Sequence, residues 1–510
     1  MEKKIKSKSL GKKLKKKLKQ KIYKWHKTLA LITMIPMIFW CLSGIMHPFM
    51  AHFFKPQIAN ETLKGQKFDS QKMQTGIQKA LLVNQITEVK NFRLVAFNAN
   101  QYYQVKTIAD SLLYINTVNG KLLPGGDKQY GEWLARYFLD DQKSKVLNHE
   151  LVTKFNSQYK YVNRYLPVHK ISFDREDEME VYVETTSGRL ATFNPKSRQW
   201  FIWFFDVFHN WSFLDAIANN SVRIFIMILL LTVIGFSALT GLVIYGLFWK
   251  QFKKVKVEDT ASKWRKYHRQ TGLALALFTV LFAFSGGYHA TKKWNPIAFE
   301  EMVYESEFKV SDFDSDQVTR LMAQDSFKNV SMVKFKETVY YRSQLANGKS
   351  DTILYVNSKT KKVSVNTDAA YAKYLANYFN AKVAGKSAAC CEMGVAPEEK
   401  CCEEKIKETA VITDFKNREY GFVNKRLPVV KVAYESCDDK TLFVETATSR
   451  LAAYVTNSDR VEGYSFAIFH KFLFMEWAGK DIRDLTMVLA TLGVLVVGVL
   501  GLLLLSKGKQ

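Results

Sequence analysis

The sequence predicts a membrane α-helical bundle of four transmembrane helices with two α+β extracytoplasmic lobes, arranged as a tandem internal duplication. Two observations carry that reading. Stretches 27–47, 222–248, 269–289 and 485–505 are apolar and almost free of charge, and each has the roughly 20 residues a helix needs to cross a bilayer core. The stretch KWHKTLALITMIPMIFWCLSGIMHPFMAH at 24–52 also returns as KYHRQTGLALALFTVLFAFSGGYHATKKW at 266–294. His26 and His47 map onto His268 and His289, and Ser43-Gly44 onto Ser285-Gly286.

The net charge of +26 is concentrated at the chain start and between the second and third spans. The arm 1–26, the loop 249–268 and the tail 506–510 are lysine- or arginine-rich, so the positive-inside rule puts them, and both termini, in the cytoplasm. The segments 48–221 and 290–484 then lie outside, and the charge reports topology, with no nucleic-acid partner expected. The first span lacks a small-residue exit and follows a basic stretch far longer than a signal n-region, so it is expected to stay as an anchor.

In the first lobe, QKMQTGIQKALLVNQI has helical spacing, whereas NFRLVAFNANQYYQVKTI and SLLYINTVNGKLL are β-branched and aromatic with an Asn-Gly turn. YGEWLARYFL reads as a second helix, and HKISF, MEVYVETTSG and RLATFNP as strands. The second lobe repeats these signals: WLARYF at 133–138 returns as YLANYF at 374–379, YVNRYLPVHK at 161–170 as FVNKRLPVVK at 422–431, and VETTSGRLA at 183–191 as VETATSRLA at 444–452. The spacing grows between the first of these matches and the others, which places an insertion at about 387–406. It holds Cys390, Cys391, Cys401 and Cys402, expected either as two disulfides or as a soft-metal site. Aromatic returns to the membrane, WFIWFFDVFHNWSF at 200–213 and YSFAIFHKFLF at 464–474, should lie at headgroup level.

Six of the nine histidines fall in repeat-equivalent pairs: His26 with His268, His47 with His289, and His209 with His470. A single histidine at a span end is ordinarily an interfacial side chain with its nitrogen in water. Six at matching places point to a bound group, and imidazoles on facing helices of a bundle are a common way to hold haem iron. A bare metal ion is the competing reading, but it usually recruits carboxylates or thiolates, and the spans offer only Cys41. His26 and His47 are 21 residues apart, about 31 Å at ~1.5 Å per residue. No Ser/His/Asp set, phosphate loop, flavin or nicotinamide motif is evident.

These residues resemble the PepSY-associated transmembrane proteins, a family that includes bacterial inner-membrane siderophore and iron reductases. The resemblance rests on HKTLALI from His26, HRQTGLALAL from His268, FWCLSGIMH, FAFSGGYH, VFHNWSF, IFHKFLF and FSALTGLVIYGLFW, and covers both halves. It implies PepSY-like periplasmic lobes and one to three haem b per chain, ligated by His209 and His470, then His47 and His289, then His26 and His268. It further implies a one-electron oxidoreductase of the bacterial inner membrane that takes electrons from membrane quinol or a cytoplasmic reductase and reduces ferric-siderophore or other ferric complexes. The lysine arm and the Cys-Cys insertion depart from the family pattern and leave the substrate open. A reading of another class is a non-redox sensor, binding or protease-regulating module.

Overall fold

A computed structural model of the chain describes residues 2–53, 55–66, 68–252, 260–314, 327–345, 352–385, 405–417 and 419–507. The four cysteines of the insertion lie outside the described residues. In chain order the elements are α1 (Glu2–Phe53), α2 (Ile77–Val83), β1 (Glu88–Phe97), β2 (Asn100–Thr107), β3 (Leu112–Asn116) and α3 (Gly126–Leu139). Then come β4 (Val146–Val152), β5 (Val168–Phe173), β6 (Glu180–Glu184), β7 (Arg189–Asn194), α4 (Lys196–Phe208), α5 (Asn220–Phe252) and α6 (Thr260–Thr291). The second half supplies β8 (Phe308–Lys309), β9 (Phe327–Phe335), β10 (Thr338–Leu345), β11 (Ile353–Asn357), β12 (Val363–Ser364) and α7 (Thr367–Val383). It closes with β13 (Ile406–Ile412), β14 (Val429–Tyr434), β15 (Thr441–Glu445), β16 (Arg450–Val455), α8 (Asn457–Phe469) and α9 (Lys480–Lys507).

Two compact units result: residues 1–55, 198–296 and 458–510 form the first, and 56–197 and 297–457 the second. Among the described residues of the first unit four helices are long and apolar enough to cross a membrane, Lys17–Met50, Asn220–Lys250, Ser262–Thr291 and Lys480–Leu505. The stretches expected from sequence fall inside them. α1 packs on α5, α5 on α6, α6 on α9 and α9 on α1, which closes a four-helix ring with α1 and α6 on opposite corners. Leu229, Phe236, Leu239 and Val243 of α5 point away from the ring and are exposed. Such all-round apolarity suits a helix whose outer face meets lipid. Inside the ring, glycines permit close approach: a Cβ on Gly493 would lie 2.6 Å from Leu275 Cδ1.

In the second unit α3 buries Tyr130, Leu134 and Phe138, one residue per turn, and α7 buries Tyr371, Leu375 and Phe379 at the same spacing. α3 packs against β3 and the antiparallel sheet β4-β5-β6-β7, and α7 packs against β11 and the sheet β13-β14-β15-β16. The remaining strands come from both lobes. They form one eight-stranded sheet in the order β12-β11-β10-β9-β1-β2-β3, with β8 on β1 and the join at Arg93 opposite Ser331. Strands of like pattern can pair within a lobe or between lobes, and β1 and β9 bury the same kind of face, so their side-by-side pairing covers both edges.

Candidate functional site: two histidine clusters in the helix bundle

All six repeat-equivalent histidines lie in the first unit, in two clusters. One cluster joins α1 and α6 across the ring, where the rings of His26 and His268 are 6.4 Å apart centre to centre and inclined at 48°. Each is held by the helix beside it in the same way. His26 Nδ1 lies 3.0 Å from the Ser237 carbonyl and 3.2 Å from Thr240 Oγ1 on α5, and His268 Nδ1 lies 3.2 Å from the Val497 carbonyl on α9. A carbonyl only accepts, so Nδ1 of both rings carries the proton and Nε2 keeps its lone pair. One turn on from those carbonyls stand Gly241 and Gly501, where a Cβ would come within 3.2 Å of His26 Cε1 and 3.5 Å of His268 Cε1. The two glycines form the beds on which the imidazoles rest.

The other cluster gathers His47, His209, His289 and His470. Ser43 and Ser285 are fully buried, and each spends its single hydroxyl proton on its own helix: Ser43 Oγ donates to the Phe39 carbonyl at 2.8 Å and Ser285 Oγ to the Leu281 carbonyl at 2.7 Å. Their oxygens are left to accept from His209 Nδ1 at 3.0 Å and His470 Nδ1 at 3.2 Å. Here too the proton is fixed on Nδ1 and Nε2 is bare. Burial, then the neighbouring His470 and Lys293, hold His209 far below the usual histidine pKa, while burial, Lys471 and His289 push His470 down to about 3. Both are neutral imidazoles, the form that ligates a metal.

His289 and His47 differ from one another. His289 Nδ1 lies 2.7 Å from Glu462 Oε1, whereas His47 meets the rings of Phe201 and Phe205. Phe201 occupies in the first half the place that Glu462 occupies in the second, so the carboxylate partner is confined to one histidine. Phe466 stacks on His289 at 4.4 Å and on His470 at 4.6 Å, and so stands between the two rings. Phe205 stacks on His209 at 4.3 Å. Each half therefore sets a phenylalanine against both of its histidines, Phe205 in the first and Phe466 in the second.

The donor set fits a haem better than a bare ion. An imidazole nitrogen sits about 2 Å from a bound metal and about 1 Å from its ring centre, so two rings across one ion are about 6 Å apart. The 6.4 Å spacing of His26 and His268 matches that figure. Among the described residues no group of three or more His, Cys, Asp or Glu side chains converges to hold a metal. Two opposed imidazoles suit a group that brings its remaining ligands itself, as the porphyrin does.

The residues that orient the histidines carry a weaker sequence signal than the histidines themselves. Ser43 and Ser285 were visible as a repeated Ser-Gly pair, and their constant spacing from His47 and His289 was the available signal. Glu462 breaks the repeat, and Gly501 falls in an apolar run with nothing to mark it. In the second unit His149 Nε2 lies 2.8 Å from His169 Nδ1, and His169 Nε2 lies 2.7 Å from Asp127 Oδ2, a chain formed by two histidines that have no counterpart in the repeat.

The four long apolar helices, packed on one another around the two histidine clusters, define a multi-pass membrane protein. The sequence profile of the PepSY-associated TM region matches residues 135–508, and the chain belongs to that family. No curated protein matches it.

Proposed function

We propose that this protein is a haem b-containing electron-transfer protein of the bacterial inner membrane, which reduces ferric iron or ferric-siderophore complexes at its periplasmic side for iron acquisition. The observation that carries the reading is the His26–His268 pair, with ring spacing suited to one iron and both Nδ1 protons committed to carbonyls. The basic arm, the basic loop and the lysine-ended tail support cytoplasmic termini and periplasmic PepSY-like lobes. The repeated order of strands and helices supports a tandem duplication. Electrons would come from membrane quinol or a cytoplasmic reductase.

A bound haem would supply a one-electron change at iron, which needs no covalent catalysis by the protein. His26 and His268 would hold it at one level of the bundle. At the other level His209 and His470 have equivalent hydroxyl partners and form the first choice of ligand pair, with His47 and His289 one turn of helix further on. The chain's own part is to keep each Nε2 unprotonated, to exclude water by burial, and to set ligand basicity through Ser43, Ser285 and Glu462.

The test is a visible spectrum of the detergent-purified protein before and after dithionite, with haem per chain by pyridine haemochrome. The expected result is the sharp reduced bands of six-coordinate haem b, reduced in amount by His26→Ala with His268→Ala and separately by His209→Ala with His470→Ala. A colourless, folded protein from haem-replete cells would overturn the proposal and leave the non-redox binding module.

A further inference from the structure

The second unit contains an imbalance of buried charge. Arg189 ion-pairs with Glu445, and Arg426 lies 2.9 Å from Glu445 and 3.5 Å from Glu184. Glu184 and Glu445 each also accept a hydroxyl, from Ser187 and Thr448. Both carboxylates are thereby used. Arg450 opens β16 as Arg189 opens β7, yet it has no carboxylate partner among the described residues and donates from Nη1 to the Glu300 carbonyl at 2.8 Å. Arg93 is likewise surrounded by neutral oxygens: Asn329 Oδ1 at 2.9 Å, Gln104 Oε1 at 3.4 Å, and the carbonyls of Thr185, Thr186 and Ser187.

Arg93 and Arg450 are 8% and 9% exposed, and both line a single cleft that opens to solvent. Lys90 and Lys106 also line it, but these two share Asp110 and Glu305, which balance their charge. The guanidinium groups are what remains uncompensated. Burial lowers the pKa of Arg93 and Arg450, whereas for Arg189 and Arg426 the nearby carboxylates outweigh burial and raise it. A buried guanidinium with no carboxylate in ion-pair contact is costly, and the cost falls when an anion enters.

We propose that this cleft binds a small oxyanion, the carboxylate or phosphate group of a soluble ligand, between Arg93 and Arg450. Arg450 suits the task because a planar guanidinium can meet two oxygens of such a group at once and only its Nη1 is committed, to the Glu300 carbonyl, while Arg93, its N–H groups largely taken by neutral oxygens, adds charge. Ser449 and Tyr304 also line the wall, their hydroxyls paired with Tyr371 at 2.7 Å and Tyr374 at 2.9 Å. The site does not depend on haem, and its test is separate from the spectrum above.

The experiment uses the full chain in detergent, with inorganic phosphate and succinate titrated at matched ionic strength against chloride, read by calorimetry and by thermal unfolding. The wild type is expected to bind at least one of the two saturably, with a Kd at or below the millimolar range, and to melt higher in its presence. Succinate alone would identify a carboxylate site and phosphate alone a phosphate site. Arg450→Gln removes an uncompensated charge, so the variant should fold without loss of stability and bind the anion at least about tenfold more weakly. No saturable response to either anion in the wild type, or an equal response in Arg450→Gln, overturns the proposal.

Discussion

The hydroxyls of Ser43 and Ser285 offer the sharpest test of how the bundle orients its histidines. His209 Nδ1 has the oxygen of the buried Ser43 at 3.0 Å in a partly buried setting. Ser43→Ala leaves that N–H facing a methyl group, and an unsatisfied buried donor costs about 1–3 kcal/mol. Thr33 is the control: it too is buried, and its hydroxyl donates to the Leu29 carbonyl at 2.9 Å, within its own helix. Thr33→Val therefore removes the same intrahelical bond without orphaning an imidazole. Thermal unfolding in detergent should show Ser43→Ala, and equally Ser285→Ala, less stable than Thr33→Val by that margin, roughly 5- to 150-fold in the unfolding equilibrium. Under the proposed function the loss has a second face, because the proton is then at liberty to move to Nε2 and block ligation. An outer partner of this kind is typically worth about 10- to 100-fold in affinity, read here as haem retained per chain after dilution. Equal melting of Ser43→Ala and Thr33→Val would refute the assignment of the hydroxyl as the anchor of His209.

Three other predictions concern different parts of the chain. Glu445→Gln leaves Arg189 and Arg426 buried without their shared carboxylate and should cost about 3–5 kcal/mol in chemical unfolding of the full chain. Burial raises the Glu445 pKa, but Arg189 and Arg426 outweigh it and hold the carboxyl at about 2; the stability it contributes is present above the unfolded carboxyl's value and is lost as pH falls through about 2, a loss that the Gln variant should not show. His149 is pushed down to about 4 by burial and by His169, so the unfolded chain binds a proton that the folded one refuses. Stability should decline as pH falls from about 6.5 towards 4, and His149→Gln should flatten that part of a melting-temperature profile. Gly241→Ala places a methyl 3.2 Å from His26 Cε1 and should displace that ring, whereas Gly246 has open space, and Gly246→Ala should leave both the spectrum and the melting point unchanged.

What was legible in the sequence was whatever depends on a run or a repeat. The spans were readable because about 20 uncharged apolar residues have few other fates, and the six histidines because duplication placed each twice. Contacts between distant elements were not readable. Ser43 meets His209 across 166 residues of sequence, and a serine inside a span reads as a small packing residue until the opposing helix is in place. Glu462 and Phe201 show the opposite failure: their places correspond, their chemistry does not, and only the position of His289 reveals which matters. The pairing of β1 with β9 escaped for a physical reason, since alternation fixes which face of a strand is buried but not which neighbour covers its edge. His52, which has no histidine counterpart in the repeat, proves to sit 3.1 Å from Asp484.

The geometry also revises the distance between the two levels of the bundle. Measured from His26 to His47 it is about 31 Å, but the His209 ring is held at Ser43, only 17 residues from His26, or about 26 Å at ~1.5 Å per residue. His268 and Ser285 repeat that interval on α6. One turn short of Ser43 lies Trp40, stacked on Trp211 at 5.1 Å and donating from Nε1 to the His209 carbonyl at 2.9 Å. The corresponding place in the second half holds Phe282 stacked on Phe472 at 5.7 Å. Under the proposed function an electron arriving at the His26–His268 level must cross this interval, and the aromatic layer stands at its far end. Trp40→Leu removes the ring, while Trp40→Phe keeps an aromatic that the second half already accommodates at that place. Stopped-flow reduction should then show slower transfer to the His209–His470 level in Trp40→Leu, little change in Trp40→Phe, and the same spectrum in both. Transfer as fast in Trp40→Leu as in the wild type would mean that the aromatic layer serves packing alone and that the electron takes another course.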